Sequence, residues 1–560
     1  MRLSTYFNRY IIIFCTLLFA FCHESEAQLP TPKHEVRAVW LTTIGGLDWP
    51  HSYSQSSSSA KHQQKELCDI LDKLKAANVN TVLIQARVRG TTIYPSQYEP
   101  WDGCLSGMPG ISPGYDALKF AIDECHKRGM ELHAWVVTIP VGKWNKLGCK
   151  KLRAKYPSMI RKIGDEGYMN PERKETADYL AKICGEITRN YDVDGIHLDY
   201  IRYPETWNAR INREQGRRNI TRIVSRIHDT VKSIKPWVKM SCSPIGKFDD
   251  LVRYESYGWN AYTKVCQNAQ GWLRNGLMDE LFPMMYFRGN QFFPFALDWK
   301  ENSYGKIISV GLGIYFLSPQ EKDWDIDVIK REMNVLRQQG LGHAYFRSKF
   351  FTDNIKGVYD FALQLDNHPA LIPAMTWASS AIPTPPTTLT VNHTDSGDDI
   401  EWSGARDMSD GPYLMYNIYA STDYPVDVND ARNLVAARYI KQSISISRDA
   451  GKPTLHYAIT ATDRYGNESK PICSPSPKDN GYQHKSLLKN NGQTLTLPAK
   501  GNTLDANYVI IETLQGSIVD TKPYADTTIS ISNLPEGMYV LKSLGRKGVT
   551  HRLGFLIIRR

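Results

Sequence analysis

The stretch Asp194-Gly195-Ile196-His197-Leu198-Asp199-Tyr200-Ile201-Arg202-Tyr203-Pro204-Glu205 holds most of the chemistry this chain can offer. Strand alternation puts Gly195, His197, Asp199 and Ile201 on one face, and Asp194, Ile196, Leu198 and Tyr200 on the other. An ionised aspartate at the end of an apolar strand is costly unless something pairs with it. Asp199 therefore reads as a catalytic carboxylate. Asp194 has the opposite phase and lies at the strand's start, where charge ordinarily serves stability. General acid–base chemistry commonly takes two carboxyl groups, one protonated and one ionised. Glu205 is the first candidate for Asp199's partner, with Asp48, Glu99, Asp102, Asp249 and Asp250 behind it. Nearby arginines would oppose protonation of Asp199, so it reads as the ionised member, nucleophile or base.

Other segments add groups suited to a hydroxylated ligand. Gln85, Arg87 and Arg89 alternate with apolar residues, as do His133 with Trp135, Ser241 with Ser243, and Met284 with Tyr286. Aromatic faces stack on sugar rings, and forked donors hold hydroxyl or carboxylate groups. The expected substrate-binding set is Gln85, Arg87, Arg89, Tyr94, His133, Trp135, His197, Arg202, Tyr203 and Tyr286. No third ligand falls at a metal spacing from His133 and His197, so no metal or other cofactor is expected. Asp323, Asp325 and Asp327 read as helix N-terminal residues rather than a calcium loop. GxSxG, HExxH and P-loop patterns are missing.

Placing these groups takes an alternation of strands and helices. Strand patterns at 36–42, 81–88, 131–137, 195–201, 238–243, 280–286, 307–315 and 342–346 alternate with helix patterns at 63–77, 115–127, 173–189, 212–234, 263–274, 326–339 and 354–365. Eight strands with intervening helices predict an α/β fold, a (β/α)8 TIM barrel over 34–378, with active groups at the C-terminal strand ends. A doubly wound sheet is the alternative, but no GxGxxG follows the first strand. Residues 379–388 contain a Pro/Thr-rich linker, AIPTPPTT. Short alternating strands over 389–478 predict a β-sandwich, and 490–560 reads as a smaller all-β domain.

At 560 residues the chain is long enough for about two to four domains. Its 68 basic and 58 acidic residues are interspersed, so the net charge of +10 forms no nucleic-acid-binding arm. Arg2 and Arg9, the apolar run 10–21 and Ser25-Glu26-Ala27 describe a signal peptide over 1–27. Export to the periplasm, the outer-membrane surface or the medium is expected, with Cys22 as an alternative lipoprotein cysteine. No later segment reads as transmembrane. Eight further cysteines are scattered, and Cys125, Cys184 and Cys242 read as small buried apolar residues. Oligomeric state is not encoded in any pattern here.

Several motifs in order carry a family resemblance. Glu35-Val36-Arg37-Ala38-Val39-Trp40-Leu41-Thr42-Thr43 with Gly45-Gly46-Leu47-Asp48-Trp49-Pro50, then Gln85-Ala86-Arg87-Val88-Arg89-Gly90, Tyr94-Pro95-Ser96, Glu131-Leu132-His133-Ala134-Trp135 and the 194–204 stretch resemble the glycosyl hydrolase-like family 10 of exported bacterial proteins. The resemblance implies a barrel that hydrolyses glycosidic bonds, with members associated with cell-wall glycan strands. A looser similarity to the alpha-amylase superfamily, through Asp-Gly-x-x-x-Asp, carries over Asp199 as nucleophile. The fifth strand departs from that pattern, reading Cys242-Ser243-Pro244 where an amylase places a glutamate. The 416–419, 456–461 and 464–469 segments resemble a fibronectin type III module, and the tail resembles C-terminal domains of exported Bacteroidetes proteins.

The expectation is an exported glycoside hydrolase with a glycan substrate, peptidoglycan strands among the candidates. The missing fifth-strand acid motivates a second reading, a non-catalytic glycan-binding protein. An amidase or deacetylase is weaker, because no metal triad or nucleophile elbow is present.

Overall fold

The computed structural model describes residues 31–207, 211–394, 396–447, 453–475, 488–497, 506–513, 516–524, 528–545 and 550–558. The expected signal segment, with Cys22, lies outside the described residues. The chain divides into two compact units, Met1–Ser474 and Pro475–Arg560.

In the first unit eight parallel strands close into a barrel: β1 (Arg37–Leu41), β2 (Thr81–Arg87), β3 (Glu131–Val137), β7 (Gly195–Asp199), β8 (Lys239–Cys242), β9 (Glu280–Leu281), β10 (Ile307–Leu312) and β11 (Gly342–Tyr345), with β11 pairing back onto β1. A three-stranded antiparallel ribbon follows β3, made of β4 (Pro140–Lys143), β5 (Ile160–Ile163) and β6 (Glu166–Met169). The helices form where apolar residues recur at helical spacing. In Ser57–Ala76 a capping box at Ser56 and Ser59 starts the helix, and Leu67, Leu71 and Leu74 face the barrel.

The strands expected over 195–201, 280–286 and 307–315 end early, at Asp199, Leu281 and Leu312, and one expected helix is divided. The strand expected over 280–286 stops at Leu281, because Pro283 has no N–H for the ladder, and Met284 rejoins only as an isolated bridge to Ile245 and Gly311. The helix expected over 263–274 is two pieces, Ala261–Lys264 and Ala269–Arg274, separated where Cys266 turns left-handed at φ 60°.

The barrel interior is layered. At its floor Lys239 donates to both Glu131 oxygens at 2.6 and 2.7 Å, and Glu280 accepts from Ser309 at 2.7 Å. Above them lie His133, His197, Trp40 and Phe282, whose rings meet edge to face. Gly195 is required here, since a Cβ on it would lie 2.7 Å from the His133 ring. All eight described cysteines are free, with Cys125, Cys184 and Cys242 fully buried.

A β-sandwich belongs to the same unit. Its sheets are β12 (Thr388–Thr394), β13 (Gly397–Ser403) and β16 (Ser443–Ser447), facing β14 (Met415–Ser421), β15 (Leu434–Tyr439), β17 (His456–Thr462) and β18 (Ile472–Cys473), over a core containing Ile400, Trp402, Ile418 and Ile459. Two of its arginines close the barrel floor. Arg438, left-handed at φ 55° beside a register shift in β15, donates to Glu131 at 3.0 Å and to Asp194 at 2.5 Å. Arg464 reaches Asp194 at 3.3 Å, and His126 lies 2.8 Å from that same carboxylate. Burial alone would raise Asp194, but Arg438, His126 and Arg464 outweigh it and hold the group well below the usual carboxylate range.

The second unit is all-β. It pairs β19 (Thr494–Thr496) with β22 (Thr528–Ser530), beside a sheet of β20 (Ala506–Thr513), β21 (Ile518–Pro523), β23 (Gly537–Gly545) and β24 (Thr550–Ile558). Leu495, Val509, Ile511, Leu541 and Leu556 form its core. No helix among the described residues is long and apolar enough to cross a membrane.

Candidate active site

Asp199 is the last residue of β7, and its side chain turns into the barrel mouth. Thr138 fixes its backbone by donating twice to the Asp199 carbonyl, from N–H at 2.9 Å and from Oγ1 at 2.7 Å. Three donors converge on the carboxyl. Trp135 Nε1 donates to Oδ2 at 3.1 Å, while Ser243 Oγ and the Tyr200 N–H each donate to Oδ1 at 2.8 Å. Trp135 is on β3 and Ser243 directly follows β8, the two strands flanking β7, so the barrel register itself builds this cradle. Burial pushes the Asp199 pKa up, and it stays above the ordinary aspartate value despite the opposing pull of Ser243, Arg202, the Tyr200 N–H and Trp135. Among the described residues, no full countercharge sits within hydrogen-bonding distance of it.

Tyr200 does not continue the strand alternation. It adopts a left-handed backbone at φ 52°, which brings its ring over the mouth and sends Ile201 into the outer core. Arg202 lies against that ring, 4.6 Å from its centre, and pairs with Glu205. The Arg202 Nε is buried without a hydrogen-bond partner among the described residues. Asp199, Arg202, Glu205 and Arg89 are all close enough to act on the Tyr200 phenol electrostatically. Arg89 contacts Glu166 on β6 at 3.4 Å, and Tyr168 donates to Glu166 at 3.2 Å. Across the mouth Tyr286 stacks on Phe346 with centres 5.3 Å apart and meets Tyr315 edge-on at 5.7 Å. Gln85 Oε1 accepts from the Thr43 and Ile44 N–H groups, leaving its amide nitrogen without a partner among the described residues.

The structure thus gathers Asp199, Trp135, Arg202, Glu205, Arg89 and Tyr286 at one end of the barrel, with Gln85 in register with Trp135. Five expected ligand residues are elsewhere. A register shift between Gln85 and Arg87 turns Arg87 outward, where Glu99 binds it through both oxygens and the Val137 and Thr138 carbonyls take its other end. Glu99 is thereby also spent. Tyr94 packs on Tyr191 and donates to Glu186 on an outer helix. Tyr203 lies beneath the helix Arg213–Ile234 and accepts from Asn219 at 3.1 Å. His133 is sealed in the interior, with Nε2 3.2 Å from Glu131. His197 is sealed one layer below Asp199. The Trp40 N–H can only donate, so His197 Nε2 accepts it and Nδ1 carries the proton toward Ser241. Burial and His133 keep His197 well below the ordinary imidazole value, hence neutral.

Sequence reasoning passed over Tyr200, Glu166 and Tyr168 as site groups, and named Ser243 at the strand end without a role. Ser243 was found from the inward phase that β8 hands on to the residue after Cys242. Glu166 and Tyr168 lie on a ribbon whose strands are too short for a clear pattern. Among the described residues, no group of three or more His, Cys, Asp or Glu side chains could hold a metal ion.

A closed parallel barrel with a donor-held aspartate, arginines and tyrosines at its C-terminal mouth defines a (β/α)8 protein equipped for polar, ring-shaped ligands. The chain belongs to the glycosyl hydrolase-like 10 family, whose profile matches residues 35–215 and 211–320. It is 28% identical over 477 residues to glycosyl hydrolase YngK of Bacillus subtilis (strain 168), covering 78% of this chain and 92% of that one. It is 31% identical over 287 residues to glycosyl hydrolase DigH of Escherichia coli (strain K12), covering 45% of this chain and 65% of that one. Among solved structures, alpha-L-fucosidase isoenzyme 2 from Paenibacillus thiaminolyticus overlaps with a TM-score of 0.41 at 15% identity, covering 63% of this chain and 51% of that one. That overlap is too loose to bear on the chemistry.

Proposed function

We propose that the protein is an exported glycoside hydrolase that cleaves O-glycosidic bonds within a bacterial cell-wall glycan. The observation that carries this reading is the Asp199 carboxyl, held by Trp135, Ser243 and the Tyr200 N–H at the end of β7. A carboxylate fixed this way presents a defined lone pair to a sugar's anomeric carbon, or to a water beside it. Tyr286, Tyr200 and Tyr315 supply faces for the ring, and Gln85, Arg89 and Arg202 supply donors for hydroxyl or acidic substituents. The partner acid is one of Glu205 and Glu166, each beside an arginine at the mouth. Membership of a glycosyl hydrolase-like family and relatives named glycosyl hydrolases support the reaction class. The sandwich's sheets of three and four strands support reading it as a fibronectin type III-like module. The test is incubation of the purified protein with isolated sacculi and with peptide-free glycan strands. Shorter saccharides in the mass spectrum support hydrolysis.

A second reading, a glycan-binding protein without turnover, is favoured by one observation. β8 delivers Ser243 rather than an acid to the mouth, and both remaining candidate acids are ion-paired. Strand binding with no new reducing ends would establish this reading and sink the first.

A further inference from the structure

The loop 243–260 leaves the C-terminal end of β8 beside the mouth, where Ser243 donates to Asp199 at 2.8 Å, and runs outward to Arg253, which pairs with Glu301 on the outer helix Phe293–Glu301. Its backbone is pinned repeatedly. Lys247, itself buried, donates from Nζ to the Tyr257 carbonyl at 3.0 Å and to Gln291 on the neighbouring loop. Asp250 accepts from the Gly258 N–H at 3.0 Å. Ser256 donates to the Asn290 carbonyl at 3.1 Å, and the Ala261 N–H donates to the Lys247 carbonyl at 2.9 Å. Gly258 has φ 142°, and a Cβ there would lie 2.8 Å from Lys247 Nζ.

This pinning displays two rings. Ser256 and Asn260 are buried at 1% and 0% exposure, while Tyr257 and Trp259 between them are 51% and 43% exposed. A loop pinned in this way spends less ordering entropy when a ligand arrives. Exposing a tyrosine and a tryptophan together on such a loop forgoes burial that both rings would favour. The start of the loop adjoins the candidate site. The Lys247 ammonium lies 4.8 Å from the Phe287 ring centre, and Phe287 adjoins Tyr286, whose phenol feels the Asp199 charge.

We propose that Tyr257 and Trp259 form a second sugar platform, which stacks on rings of a glycan chain lying outside the Asp199 site and selects polymer over short saccharides. The proposal rests on the glycan reading above. The occupant is the pyranose backbone of a glycan chain, because the two rings offer broad faces and the phenol and indole N–H can reach ring hydroxyls.

Binding is read by calorimetry in an Asp199→Asn background, so that no strand is consumed. The probes are peptide-free glycan strands released from sacculi by an amidase, and their disaccharide unit. Tyr257→Ala and Trp259→Ala should each weaken strand binding about fivefold to tenfold and leave the disaccharide within about twofold. Trp259→Phe should recover most of the loss, and melting curves should stay level across the set. The proposal is overturned if the double alanine variant binds strands as tightly as its parent, if strands bind no tighter than the disaccharide, or if no strand binds. Strand cleavage by the wild type, followed by mass spectrometry, is scored separately. Cleavage with unaltered binding in the double variant sinks the platform alone. Lost binding in the double variant with no cleavage by the wild type sinks hydrolysis alone.

Discussion

Asp194 and Asp199 bracket one barrel strand and are both nearly inaccessible, at 5% and 6% exposure. Asp194 faces Arg438, Arg464 and His126, which hold it strongly ionised. Asp199 accepts from an indole, a hydroxyl and a peptide N–H, and its pKa sits above the ordinary value. Full countercharges fix a carboxylate and end its chemistry. Neutral donors orient a carboxylate and leave its charge available to a substrate. The same side chain thus serves as masonry at the floor and as a tool at the mouth.

The comparison breaks most visibly at Asp199. Asp199→Asn should lower turnover on glycan strands by about 10²- to 10⁴-fold, while the melting temperature stays level or rises, because an isolated buried charge is removed. Near-normal turnover in that variant would falsify the assignment. Asp194→Asn should do the reverse. It should cost about 3–5 kcal/mol in urea unfolding, because Arg438 and Arg464 lose a shared carboxylate, and leave turnover per folded molecule unchanged. Equal loss of both properties in either variant would erase the contrast between the two ends.

The pH profiles should separate too. Asp194 and Glu131 have depressed folded values, Glu131 at about 2, through Lys239 and Arg438 acting against burial. Their stabilisation is therefore present above the unfolded carboxylate range, about 4, and is lost as pH falls toward the folded values. Asp199 has the opposite sign. Its contribution to stability is full below the unfolded range and declines as pH rises through its raised value. Turnover that needs ionised Asp199 should fall as pH drops through that raised value, with an acid limb above about 4. Melting and rate, measured across the same buffers, should lose ground at different pH. The smallest effect is at Ser243. Ser243→Ala removes a donor to Oδ1 and should move the acid limb alkaline by about half a unit to one unit. An unmoved limb would mean that Asp199 is not the group being titrated.

The barrel was legible because its signal is repeated. Each strand is an apolar run flanked by helical spacing, and closure needs only that eight of them recur. The phase of β7 was enough to separate Asp194 from Asp199. The mouth was less legible for local backbone reasons. One register shift after Gln85 reverses the direction of Arg87, and the left-handed turn at Tyr200 swaps the faces of Tyr200 and Ile201. Alternation counts residues and cannot register an extra one. The histidines show another limit, since inward-facing positions include the sealed layers as well as the mouth. The sandwich arginines belong to a distant segment, and no local pattern announces that Arg438 and Arg464 meet β7.

The left-handed backbone at Arg438 has a bearing on how this chain can be cut and recombined. A side chain aimed from one fold into the foundation of another makes a keystone rather than a tether. A fragment trimmed after Trp377 would leave Glu131 and Asp194 facing solvent with their arginines gone. The smallest transplantable piece is therefore the barrel and sandwich together, through Ser474.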